Sequence, residues 1–123
     1  MSRLVYCATP SRLVHKKEEI MRFASRQGYA PLHPFQALPY DFFEGNLEIG
    51  RTQTLDYCLR LVAICDLFWI FGISQGTLDE LVHAHDIKKP VQSFVAEFDP
   101  EWKHYYQLFA DHYRDALDKL VLT

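Results

Sequence analysis

The chain has 123 residues, of which 49% are hydrophobic and 15% aromatic, and a net charge of −3 at neutral pH. That length and apolar content specify one globular domain, residues 1–123, whose core needs no metal or disulfide staple. The mild acidity argues against a polynucleotide partner, because a nucleic-acid-binding domain of this size carries a basic face; Arg12, Lys16, Lys17, Arg22 and Arg26 instead alternate with acids at helical spacing.

Arg3 to Ala8 is a short apolar run that stops at Thr9-Pro10-Ser11, the pattern of a first strand and its turn. Ser11 is placed to cap a helix from about Arg12 to Gln27, with Leu13, Ile20, Phe23 and Ala24 on one face and Gly28 closing it. Tyr29 to Leu32 reads as a second strand. Residues 33 to 47 hold Pro34, Pro39, Gly45 and several aromatics, which is the composition of a long functional loop. A helix follows from about Leu47 or Gly50 to Cys65. Leu67 to Ile73 is continuously apolar, as a strand buried on both faces must be. Ser74-Gln75-Gly76 turns it into a helix from Thr77 to about Ile87, and Val91 to Val95 is a fourth strand. Asp99-Pro100-Glu101 is a helix start. The helix it opens carries Trp102, Tyr105, Tyr106, Phe109, Tyr113, Ala116, Leu117 and Leu120 as a wide amphipathic stripe. The excess of rings there fits either a cover over the protein's own sheet or a subunit interface.

This alternation predicts an α/β fold: a small, open, mainly parallel sheet of four or five strands, flavodoxin- or Rossmann-like, with helices on both faces and a C-terminal amphipathic helix. Ligands of such sheets bind beyond the carboxyl ends of the strands, where the strand order reverses. That rule nominates three loops: Cys7 to Ser11 with Thr9, His33 to Asn46 with His33 at its start, and Ser74 to Thr77.

The third loop carries the most chemistry. It joins a buried strand to a helix N-terminus, where unpaired N–H groups and the helix dipole favour an anion. Gly76 lets a ligand approach the backbone closely. Glu80 lies one turn further on. It is either a functional carboxylate or the second half of a capping box, Thr77-x-x-Glu80.

His83 and His85, two apart on a helix, point to opposite sides and cannot share a metal ion, so no metal or other cofactor is expected. Cys7, Cys58 and Cys65 lack metal-ligand spacing and read as reduced, buried thiols of a cytoplasmic protein. No leader is evident at the start, and no apolar run approaches the ~20 residues of a membrane span.

The run Cys65-Asp66-Leu67-Phe68-Trp69-Ile70-Phe71-Gly72, then Ser74 and Gly76, Glu80-Leu81, Ala84 and Lys89-Pro90-Val91, together with Tyr6 and the segment Gly28 to Phe35, resembles the nucleoside 2-deoxyribosyltransferase-like superfamily over roughly residues 4 to 95. It is most similar to a mainly bacterial branch of that superfamily. The resemblance implies cleavage or exchange of the N-glycosidic bond of a nucleoside or nucleoside 5′-monophosphate, in a protein that forms a homodimer or higher homo-oligomer. It implies Glu80 as the nucleophile on the anomeric carbon, Tyr6 as its partner, and Ser74 as a phosphate-binding residue beside Gly76 and Thr77. A carboxylate nucleophile divides one hard displacement into two easier ones.

In the active enzymes an aspartate stands eight residues before the strand-opening acid. That position here is Cys58, and Asp56, the nearest acid, lies about 200° away around an ideal helix. Asp56 serves as the acid only if the register differs. The alternative is a non-catalytic nucleotide-binding or sensing module of the same fold. A third and weaker reading, a nucleotide phosphoribohydrolase, rests on Gly76-Thr77-Leu78-Asp79-Glu80 but lacks the paired glycines before it.

Overall fold

A computed structural model describes residues 2–39, 43 and 49–120. Four strands, β1 (Leu4–Ala8), β2 (Ala30–Leu32), β3 (Leu67–Ile70) and β4 (Val91–Ser93), form one sheet in the order β2-β1-β3-β4, and every pairing is parallel. The chain steps from β1 outward to β2, then returns to the other side of β1 for β3. The strand order therefore reverses between β1 and β3. This is the open parallel α/β architecture expected from the alternating pattern.

The pleat sorts the side chains of the central strands. Val5, Cys7, Leu67, Trp69 and Phe71 face one layer, where α1 (Lys17–Arg26) buries Ile20 and Ala24. Tyr6, Ala8, Phe68 and Ile70 face the other, under α3 (Gly50–Ile64) and α4 (Gln75–Asp86), which supply Cys58, Val62, Leu78, Leu81 and Ala84. Burying both faces is what makes β3 read as an unbroken apolar run.

Several boundaries differ from the sequence pattern for local reasons. The first helix does not begin at Ser11: Ser11–Lys16 is a 3-10 segment with Leu13 in a non-helical conformation, and no side chain caps it. The reason is tertiary, because Leu13 is buried and Arg12 is drawn to Asp99, leaving α1 to start at Lys17. β3 ends at Ile70 rather than Ile73. Ile73 turns away to give its N–H to Asp99 and its carbonyl to Arg12. Within the expected loop after β2, Pro34–Ala37 forms a short helix, α2, which the His33 side chain caps at the Phe35 N–H. The remainder of that loop at 40–42 and 44–48, with the alternative helix start at Leu47, lies outside the described residues.

The C-terminal stripe divides. After a one-turn helix α5 (Val95–Phe98), it forms α6 (Trp102–Phe109) and α7 (Arg114–Asp118) instead of one helix. The bend lets Tyr113 donate to Asp79 at 2.6 Å and turns Ala116, Leu117 and Leu120 into the core, while the rings of α6 pack half-buried against it. Covering the protein's own sheet accounts for the stripe; Leu108, outside it on α6, stays 58% exposed. No helix among the described residues is long and apolar enough to cross a membrane.

Candidate functional site

The reversal point between β1 and β3 opens into a cleft with a volume of about 90 Å³. Thr9 and Ser11 follow β1, Ser74, Gly76, Thr77 and Glu80 come from the start of α4, and Pro34, Phe35 and Leu38 form an apolar wall around α2. The remaining wall is one face of α3. Arg51, Thr54, Leu55 and Cys58 recur at helical spacing and all border the cleft.

Glu80 is only 5% exposed, yet it lines this cleft. The fully buried Tyr6 hydroxyl donates a short hydrogen bond to its Oε2. Tyr6 is held from behind by a stacked Phe68, with ring centroids 5.7 Å apart and 10° between planes. Burial, then the neighbouring carboxylate of Glu80, then Cys58, push the Tyr6 hydroxyl well above the usual phenol range. Tyr6 therefore stays protonated and acts as a fixed donor. A carboxylate oriented by such a donor, at the edge of a water-accessible cleft, is placed to act as a nucleophile or base.

The expected capping box falls at a different place. Ser74 caps α4: its Oγ accepts from the Thr77 N–H at 3.1 Å, and Thr77 Oγ1 accepts from the Ser74 N–H at 2.9 Å. This pair satisfies the helix end one turn before Glu80, so the carboxylate is not needed there and turns to Tyr6. The first-turn N–H groups of Gln75 and Gly76 have no partner within a helix and sit at the cleft end of α4. The Arg51 guanidinium lies 3.8 Å from where a Cβ on Gly76 would stand, placing a cation beside that positive helix end. Sequence reasoning missed Arg51. It is an ordinary exposed arginine at a helix start, and only the packing of α3 on α4 gives it a role.

Two expected residues fall elsewhere. Asp56 is exposed on the far side of α3 and pairs with Arg60 at 3.3 Å; it does not border the cleft. The rotation of two helical residues away from Cys58 is the physical reason. His33 is 1% exposed and turned into the fold. Its Nδ1 accepts the Phe35 N–H at 3.1 Å, so Nε2 carries the ring proton and donates to Thr9 Oγ1 at 3.0 Å, which in turn donates to the Cys7 carbonyl at 3.0 Å. His33 thus ties α2 to the end of β1 and carries its neighbours Pro34 and Phe35 to the cleft. Ser74, Gly76, Thr77, Thr9, Tyr6 and Glu80 are brought together.

The molecule is an open parallel α/β domain with a carboxylate-bearing cleft at its strand-order reversal. Residues 5–94 match a family described as a domain of unknown function, DUF7768, and the chain belongs to that family. No curated protein and no solved structure matches the chain.

Proposed function

We propose that this is a cytoplasmic enzyme of N-glycosidic bonds, acting on a nucleoside or nucleoside 5′-monophosphate with Glu80 as nucleophile. The observation that carries the reading is the buried Tyr6–Glu80 hydrogen bond at the wall of the cleft. Glu80 attacks the anomeric carbon, and Tyr6 orients the attacking carboxylate. The α4 N-terminus, with Arg51 beside it, accommodates a 5′-phosphate. Water or a second base then takes the sugar from Glu80. A homo-oligomer is part of the reading, tested by sedimentation velocity. The test is incubation with a panel of nucleosides and 5′-monophosphates, following free base by chromatography. Base release is expected from at least one compound and is lost in Glu80→Gln; release undiminished in that variant sinks the mechanism.

Cys58 at the cleft, with Asp56 turned away, favours a second reading: a pocket that binds a nucleotide without turning it over. That reading predicts stabilisation without base release, about 2.7 kcal/mol at a hundredfold excess over Kd.

A further inference from the structure

Arg51 stands where two negative charges can claim it. Its guanidinium lies 3.8 Å from the Cβ position of Gly76, at the anion-favouring end of α4. Asp79 follows Gly76 by three residues, so it rises from the same face of α4, with Cβ positions about 5–6 Å apart. An arginine side chain spans that separation, and an Arg51–Asp79 pair would draw the guanidinium along the helix and off the cleft. Asp79, however, is engaged from another side. Tyr113, at the N-terminal end of α7, donates its hydroxyl to Asp79 Oδ1 at 2.6 Å, the length of a charge-assisted O–H···O⁻ bond. Burial, then Asp79, push that hydroxyl up to about 12, against the opposing pull of Gln75 and of the Arg51 charge, so it is a donor at neutral pH. Arg51 borders the cleft, whereas Tyr113 lines a separate groove beside α7 with Val82 and Ala116.

We infer, resting on the reading of the α4 end as the seat of a 5′-phosphate, that Tyr113 is a positioning residue that sets the preference for phosphorylated ligands. Its bond holds the Asp79 carboxylate toward α7 and shares that negative charge. Arg51 is thereby kept beside Gly76 for the ligand instead of being taken up by its neighbour on the helix. The C-terminal segment, which lies beyond the matched residues 5–94, tunes in this way a site built from earlier parts of the chain. The inference is the same for a ligand that is only bound and for one that is then cleaved.

The experiment measures the affinities of adenosine, guanosine, cytidine and uridine and of their 5′-monophosphates by calorimetry; a compound that releases base is titrated on Glu80→Gln chains instead. The margin of a monophosphate over its own nucleoside reads the phosphate end alone. The wild-type chain is expected to show such a margin for at least one pair, and Arg51→Ala to abolish it. Tyr113→Phe is expected to cut it about two- to fivefold, the worth of one exposed ion pair, with nucleoside affinity unchanged. Adding Asp79→Asn to Tyr113→Phe removes the competing charge and is expected to restore the margin, which a merely loosened fold would not allow. Should Tyr113→Phe not fold, Asp79→Glu keeps the charge but moves it one methylene off the hydroxyl, and is expected to cut the margin in the same way. A margin unchanged by Tyr113→Phe (or by Asp79→Glu where it stands in), or a loss that Asp79→Asn fails to restore, would overturn the inference and leave the phosphate end standing. A wild-type chain with no margin, or with one that survives Arg51→Ala, overturns both; the glycosidase reading is then decided by base release from the unphosphorylated nucleosides.

Discussion

His33 has both ring nitrogens engaged, and burial, with Lys17 adding to it, lowers its pKa to about 4. The unfolded chain takes up a proton at this residue near pH 6.5, but the folded protein refuses it until about pH 4. Between those values the unfolded state binds more protons, so stability falls as pH falls, by about 3 kcal/mol in total. His33→Asn keeps an N-cap acceptor and is expected to flatten that part of a stability–pH profile measured by urea unfolding. A residual slope of the same sign is expected from His85, lowered by burial and by Lys119. Asp99 behaves oppositely. It is fully buried, and although burial alone would raise it, Arg12 and the N–H groups of Ile73 and Glu101 hold it below the usual carboxylate range. Its contribution is complete above about pH 4, the unfolded carboxyl range, and is lost as pH falls through its depressed folded value. Asp99→Asn removes one partner of a buried ion pair with contacts of 2.7 and 2.8 Å. The expected loss is about 3 kcal/mol at pH 7, read as a lower urea midpoint; the cost sits at the low end because Arg12 can reach water.

The two glycines that flank the turn into α4 test different properties of the same connection. A Cβ at Gly72 would stand 2.7 Å from the ring of the buried Pro10 and 2.9 Å from Cδ1 of the buried Leu13, closer than a Cβ sits to its neighbours. Gly72→Ala is expected to destabilise by about 1–3 kcal/mol, measured by chemical denaturation. At Gly76 the nearest atoms would be Arg51 at 3.8 Å and Ser74 Oγ at 3.9 Å, which is ordinary contact. Gly76→Ala is therefore expected to leave the melting temperature unchanged or raise it slightly, as alanine favours a helix by about 0.5–1 kcal/mol. The same methyl group intrudes on the cleft, so ligand binding, read by calorimetry, is expected to weaken. Part of this connection was legible in the residues: an apolar strand followed by a turn and a helix stands there, although the strand ends at Ile70 and the helix already starts at Gln75. The capping box was not. Ser74-x-x-Thr77 and Thr77-x-x-Glu80 are both acceptable caps in isolation, and only Tyr6, reaching from β1, decides which carboxylate is left for the cleft. Nor could spacing show that α3 turns Cys58 inward and Asp56 outward, because both faces of that helix are mixed in character.

At the scale of the whole molecule, a mainly parallel sheet followed from the alternation of strands and helices, whereas the strand order, and with it the reversal between β1 and β3 where the cleft opens, did not. The C-terminal third was less legible, because its stripe of rings suits one long helix as well as two short ones, and the bend at Tyr113 depends on Asp79 far away in sequence. That third also raises the question of where the fold ends. The family match stops at residue 94, and the sheet is complete by Ser93. The core is not. Phe98 packs in the layer beneath α1, Asp99 clamps Arg12 and the tail of β3, and Ala116, Leu117 and Leu120 close the layer over α4. Removing everything after residue 94 would strip water-excluding side chains from both faces of the sheet and leave Arg12 and the Ile73 N–H without their buried acceptor. Each loss is of order 1–3 kcal/mol or more, against a typical total stability of 5–15 kcal/mol. The 1–94 truncation is thus expected to lose cooperative thermal unfolding by circular dichroism, whereas a chain ending at residue 120 keeps it. A cooperative transition in the shorter chain, at a midpoint within a few degrees of the full chain, would show that α5 to α7 pack on a fold that does not depend on them.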